Sequence, residues 1–138
     1  MAAWLLKTEP SEYSFADLVR DRETAWTGVS NPQALANLRA MQPGDRAAIY
    51  HSGEKRAVGV ARISRAAYPD PAAGDPKRVA VDVEAVAPLP APVPLEDLRS
   101  EKAFAGSPLL RQGRLSVVPL TDAQWAAIER LARRAGPR

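Results

Sequence analysis

Apolar and polar positions along this chain switch between two periods, and the switches mark its elements. Residues 4–8 (Trp-Leu-Leu-Lys-Thr) form a short apolar run closed by Glu9-Pro10, which predicts a strand that stops before the proline. Ser14 followed three residues later by Asp17 has the layout of a capping box, with Asp in place of the usual Glu. Phe15, Leu18 and Val19 then share one face, so a short helix is predicted to about Asp21. Residues 26–30 keep neither period and predict a loop. Asn31-Pro32 joins a good N-cap to a residue favoured at the first helical position. Ala34, Leu35, Leu38 and Met41 follow at helical spacing, giving a second helix to about Met41. Gln42-Pro43-Gly44-Asp45 is a turn.

Residues 46–52 and 57–66 predict two strands across a hairpin-sized connection. In the second, Val58, Val60, Arg62 and Ser64 alternate with Gly59, Ala61, Ile63 and Arg65, an imperfect alternation that fits a curved strand. A Pro/Gly/Asp loop covers 70–76, and 79–86 is the clearest strand, with Val79, Val81, Val83 and Ala85 on one face and Asp82 and Glu84 on the other. Residues 88–94 hold four prolines and predict an extended connection. Short helical turns follow at 95–99 and after Ser107-Pro108, then a last strand at 114–118. Thr121 to Gln124 is a capping box opening a helix with Trp125, Ile128, Leu131 and Ala132 on one face. Non-alternating helices among short strands and hairpins predict an α+β fold, a small, partly open barrel with helices at its ends.

The length of 138 residues fits one domain, spanning 1–138, since domains typically hold about 100–150 residues. A hydrophobic share of 46% with 25% charged residues is a globular composition. The absence of Cys excludes a disulfide framework and a thiol nucleophile, and the single His makes a His-rich metal site improbable. The start of the chain has neither a basic n-region nor a long apolar run, and nothing reaches membrane-span length. The expected compartment is cytoplasmic, or nuclear where the source has a nucleus. Net charge is +3, unevenly spread. From Arg99 onward eight basic residues (Arg99, Lys102, Arg111, Arg114, Arg130, Arg133, Arg134, Arg138) stand against three acids, a surplus of five that leaves −2 for the remainder. A basic C-terminal third suits a polyanion, with Arg111, Arg130, Arg133 and Arg134 as candidate phosphate contacts; it also suits a solvated helix end.

No GxSxG, P-loop or HExxH motif is present. His51 and Ser52 are neighbours on a predicted strand and point to opposite faces, so His51 is poorly placed as a base for Ser52. The aromatics are more informative. Trp26, in a predicted loop beside Gly28, reads either as a plug on one end of the core or as a stacking wall for a planar ligand such as a base. Trp125 has core spacing.

Several strings then combine. Trp4-Leu5-Leu6-Lys7-Thr8-Glu9-Pro10 with Tyr13-Ser14, Trp26-Thr27-Gly28-Val29 with Asn31 and Gln33-Ala34, Gly44-Asp45, Tyr50-His51-Ser52, Val58-Gly59-Val60-Ala61, Ala67-Tyr68-Pro69-Asp70 and Arg114-Leu115-Ser116-Val117 resemble, in order, the EVE domain family of the PUA-like superfamily. The resemblance implies a PUA-like pseudo-barrel of five to six mostly antiparallel strands, with flanking short helices and a C-terminal helix. It implies a pocket for a base, above all a modified one, flipped out of DNA or RNA, in a reader without catalytic activity or cofactor. By motif, the pocket positions are Lys7, Glu9, Pro10, Trp26, Gly28, Val29, Asn31, His51, Ser52, Arg114, Leu115 and Ser116. The chain departs from the family's usual WxGVRNYQAR string: Ser30 and Leu35 stand where it has arginines and Pro32 where it has an aromatic, and no Trp precedes the Val81-Asp82-Val83 strand. The rival readings are an enzyme acting on a modified nucleobase or nucleotide through Lys7, Glu9 and His51, and a small-molecule sensor or partner-binding module that keeps only the fold.

Overall fold

The computed structural model describes residues 2–134; Arg138, counted above in the basic C-terminal third, lies outside them. One six-stranded sheet runs β2-β5-β4-β3-β1-β6, formed by β1 (Ala3–Thr8), β2 (Glu23–Trp26), β3 (Arg46–His51), β4 (Arg56–Pro69), β5 (Val79–Pro94) and β6 (Val117–Leu120). The β1/β3 pair is parallel, and every other pair is antiparallel. β1 reaches its parallel neighbour through α1 (Phe15–Asp21), β2 and α2 (Pro32–Ala40), a connection that places β2 at the far edge of the sheet beside β5. α3 (Leu95–Arg99), a 3-10 turn (Lys102–Phe104), α4 (Pro108–Arg111) and α5 (Asp122–Arg134) complete the α+β fold. Among the described residues no helix is long and apolar enough to cross a membrane.

The sheet curls but does not close, because its outer strands β2 and β6 do not pair with each other. The curl follows from register shifts along the long β4/β5 hairpin, at Ala57/Gly59, Val60/Ala61, Ile63/Arg65 and Arg65/Tyr68; each bulge adds local twist and bends the strand. Leu5, Leu6, Ile49, Ile63, Val81 and Val83 are buried strand residues of the core. α5 adds Trp125, Ile128 and Ala132 to it, and the fully buried Phe104 and Leu98 join them. Each buried Val, Leu, Ile or Phe side chain among these contributes roughly 1.5–3 kcal/mol by leaving water.

The helix signals hold. Ser14 and Asp17 form the reciprocal capping box, Asn31 caps α2 through its side chain, and Thr121 and Gln124 exchange bonds at the start of α5. Three strand expectations are corrected. Residues 23–26 form β2, so Trp26 ends an edge strand paired with Val81 and does not sit in a loop. β5 continues through the prolines to Pro94. Prolines 88, 90, 92 and 94 fall at every second position, so their missing N–H groups lie on one edge of the strand, and β2 reaches only to Glu84 on that side. The last strand starts at Val117; residues 114–116 lead into it as irregular chain tied to β1 by the Lys7 N–H donating to the Ser116 carbonyl at 2.9 Å.

Candidate functional site

A cleft of about 530 Å³ lies in the gap between the two unpaired edges of the sheet. Its walls come from the end of β1 and the turn after it, from β2 with the loop that follows, and from residues 114–116 leading into β6. The opening of the barrel is therefore the candidate site, and its size falls within the roughly 300–1,000 Å³ of small-molecule pockets.

The turn after β1 is locally built. The Glu9 carbonyl accepts the N–H groups of Glu12 and Tyr13, each at 2.9 Å, and Thr8 Oγ1 donates to the Tyr13 carbonyl at 2.7 Å. This folds Tyr13 back toward β2, where its ring meets Trp26 edge-on, with centroids 6.4 Å apart and planes 87° apart. Tyr13 donates its hydroxyl to Asp21 at 2.9 Å, and burial, reinforced by that carboxylate, pushes the phenol pKa up. Trp26 is 8% exposed, so it offers a strip of its ring to the cleft while most of it packs in the core.

The second wall depends on Gly28 and Asp70. Gly28 sits at φ +80°, a conformation that L side chains rarely adopt. Its N–H donates to Asp70 Oδ2 at 3.0 Å, and the other carboxylate oxygen accepts from Ala72 at 2.9 Å. Those two backbone bonds hold the carboxyl of Asp70, only 5% exposed, below the usual range, with Arg78 helping. Past this anchor the loop buries Val29 and delivers Asn31 to the cleft. Asn31 Oδ1 accepts the Ala34 N–H at 3.0 Å, which fixes the amide orientation and leaves Nδ2 as a donor outside the capping bond.

Lys7 braces the third wall. Its half-buried ammonium donates to the Gly113 carbonyl at 3.0 Å and lies 5.7 Å from the centre of the Tyr50 ring; burial lowers its pKa. Arg114 and Ser116 complete the lining. The ionisable side chains of the cleft balance formally, Lys7 and Arg114 against Glu9 and Glu12.

Of the pocket positions implied by motif, Lys7, Glu9, Trp26, Gly28, Val29, Asn31, Arg114 and Ser116 line this cleft. Pro10, His51, Ser52 and Leu115 do not, and each of the last three has another place. Phe15 N–H donates to His51 Nε2 at 3.0 Å, so the His51 proton sits on Nδ1, facing Glu54 at 2.7 Å. Ser52 Oγ lies 3.4 Å from Glu9 Oε2 and steadies that carboxylate from behind. Leu115 is buried in the core. Of the candidate phosphate contacts, Arg130 is paired with Glu101, while Arg111, Arg133 and Arg134 are exposed and outside the cleft lining. Tyr13 as a wall and Asp70 as the anchor of the loop are additions from the structure.

An α+β sheet left open at one seam, with a small polar cleft and two crossed aromatic rings in that seam, is a PUA-like module. The EVE domain profile matches residues 2–131, and the chain belongs to the EVE domain family. Mouse thymocyte nuclear protein 1 is 36% identical over 157 residues, covering 88% of this chain and 70% of the relative. Among solved structures, a Rhodopseudomonas palustris protein is 40% identical with a TM-score of 0.90, covering 99% of this chain and 97% of that one. Human THYN1, solved in complex with DNA containing 5-methylcytosine, is 32% identical with a TM-score of 0.82, covering 96% and 98%. A YTH domain of Zygosaccharomyces rouxii, at 17% identity and a TM-score of 0.61 over 96% of this chain and 86% of that one, shares the fold.

Proposed function

We propose that this chain is a non-enzymatic reader of nucleic acid, holding one base, flipped out of the polymer and carrying a modification, in the cleft at the barrel seam. The observation that carries the reading is the cleft itself: formally neutral in its ionisable groups, edged by crossed aromatic rings, and supplied with an oriented amide donor. A neutral polar pocket suits an uncharged base better than a phosphate. Family membership and the methylated-DNA complex of human THYN1 support it.

In this reading the base contacts the exposed strip of Trp26 and the Tyr13 ring. Stacking on one aromatic supplies roughly 1–3 kcal/mol, and extruding a base costs a few kcal/mol, so stacking alone leaves little surplus. Selectivity then rests on the Asn31 amide and the Ser116 hydroxyl, because a polar group left unpaired in a desolvated pocket penalises the wrong base. The three acid–base candidates have structural employment that supports the non-enzymatic reading. Lys7 is engaged by the Gly113 carbonyl, His51 by Phe15 and Glu54, and Glu9 by Ser52. Such a reader works in whichever compartment holds the nucleic acid.

The test compares affinities for a DNA duplex with a single 5-methylcytosine and for the same duplex with cytosine, in the wild type and in Asn31→Ser. Serine caps a helix about as well as asparagine, so α2 keeps its N-cap while the amide donor is lost. The wild type is expected to favour the modified duplex and Asn31→Ser to narrow that ratio. Equal wild-type affinities for the two duplexes would overturn the reading of 5-methylcytosine, and no binding to either would overturn the reader itself.

A further inference from the structure

A second cleft, of about 340 Å³, adjoins the first. Ser30 lines both, so the loop that Asp70 anchors forms the ridge between them. One side of the second cleft is uncharged, from Ser30, Pro32 and Leu35. The other carries three cations, Arg39 on α2 with Lys77 and Arg78 on the loop before β5, against the single acid Asp75. Asp75 is already engaged, its carboxylate accepting the Lys77 N–H at 2.9 Å. No carboxylate among the described residues lies within ion-pair distance of Arg39, Lys77 or Arg78. The two clefts thus differ in charge: the first balances and the second carries a formal surplus of two positive charges.

The cationic wall is also held in place. Arg39 donates to the Lys77 carbonyl, and Asp70 N–H donates to the Arg78 carbonyl at 3.0 Å, closing the 70–78 loop. The side-chain carboxylate of the same Asp70 holds Gly28 in the first cleft. One residue therefore fixes the neutral cleft and the cationic one relative to each other.

We infer that the second cleft is the phosphate site of this protein, and that Arg39, Lys77 and Arg78 grip the nucleic-acid backbone beside the nucleotide whose base occupies the first cleft. The inference rests on the reading proposed above and adds where the polymer runs: over the Ser30 ridge, with the basic end of α5 left out of the contact. Arg130 on α5 is already neutralised by Glu101, whereas among the described residues the cations of the second cleft have no ion-paired carboxylate, and they adjoin the base pocket directly. Neutralising a phosphate releases condensed counterions, so each contact adds about 0.9 to the slope of log affinity against log salt on duplex DNA.

The experiment measures that slope, by fluorescence anisotropy, for the duplexes with 5-methylcytosine and with cytosine. The variants are Arg39→Gln/Lys77→Gln, Lys77→Glu and, on α5, Arg133→Gln/Arg134→Gln. The side chain of Lys77 is exposed and makes none of the hydrogen bonds among the described residues, so Lys77→Glu keeps the fold even if loss of Arg39 loosens the loop. The double variant in the second cleft is expected to lower the slope by about 1.8, for two contacts. It should weaken both duplexes by one common factor and leave their ratio at the wild-type value. Lys77→Glu is expected to lower the slope and both affinities in the same sense, and the α5 variant to leave the slope unchanged. A wild-type slope in both second-cleft variants, or a drop confined to the α5 variant, overturns the inference while a wild-type preference for the modified duplex keeps the base-reading proposal. A wild type that binds both duplexes equally, with the slope still falling on loss of Arg39 and Lys77, keeps the phosphate site and sinks the reading of 5-methylcytosine. A wild type that binds neither sinks both.

Discussion

Asp70→Asn is the most informative single change, because it keeps the shape of the side chain and removes the charge that two backbone donors share. The carboxylate accepts from Gly28 with one oxygen and from Ala72 with the other, at 3.0 and 2.9 Å. An asparagine has one acceptor oxygen, so its NH₂ must face one of those N–H groups. The bond to Ala72 spans two residues and is kept easily; the bond to Gly28 spans 42 and is the one expected to fail. A hydrogen bond to a charged acceptor contributes roughly 1.5–3 kcal/mol. If that loss is confined to the loop, the population holding Asn31 and Val29 in place falls, and since 1.4 kcal/mol is a factor of ten, affinity for the methylated duplex should drop by roughly ten- to a hundredfold. If the loss is global it appears in urea unfolding. The two measurements together divide it, and their sum should lie in the range given. Acid titration adds a check. The pKa of Asp70 is depressed in the fold by the Gly28 and Ala72 bonds, so its contribution is fully present above the unfolded carboxylate value of about 3.9 and is lost as pH falls through the lower folded value. The wild type should therefore lose stability more steeply than Asp70→Asn within that window, as pH falls from about 3.9 through the lower folded value, with no difference in slope between pH 6 and 8. An Asp70→Asn protein with wild-type unfolding, binding and acid limb would refute the argument that this carboxylate positions the site.

Two further changes test the packing that frames the cleft. Trp26→Ala should lower stability by about 3–5 kcal/mol, as for a core aromatic, because the ring is 8% exposed; unfolding in urea at a wild-type midpoint would show that the ring packs less than its burial implies. Gly59→Ala should cost roughly 1–3 kcal/mol by overpacking, since a Cβ there would lie 2.4 Å from the buried Phe15 ring, whose backbone N–H is fixed by His51; an unchanged melting temperature would mean that the ring swings aside freely.

The local signals were legible where they are short-range. Ser14 with Asp17, Asn31 with Pro32 and Thr121 with Gln124 each needed only neighbouring residues, and each cap forms. β2 escaped notice because four residues with Glu23 and Thr24 among them carry no usable period; it exists because it pairs with residues 81–84, far along the chain. The proline run argued against a strand until the one-sided alternation of its missing N–H groups could be set against an edge with no partner. The cleft follows the same rule. Lys7, Trp26, Asn31 and Ser116 stood out by motif, but His51 and Ser52 belong to the same motifs and turn into the scaffold, one taking the Phe15 N–H and the other backing Glu9. Asp70 gave no signal as an anchor, because its partner Gly28 is 42 residues away.

The central claim, that a base enters the seam cleft, is tested most directly by following the three tryptophan indole N–H signals by NMR while adding a duplex that carries one 5-methylcytosine. Trp4 is buried with its indole N–H on Asp45 at 3.0 Å, Trp125 is a buried residue of α5, and only Trp26 of the three lines the cleft. The account predicts a saturable shift of the Trp26 signal, larger with the methylated duplex than with the unmethylated one, while Trp4 and Trp125 stay in place. A duplex that binds and leaves the Trp26 signal where it was would contradict it.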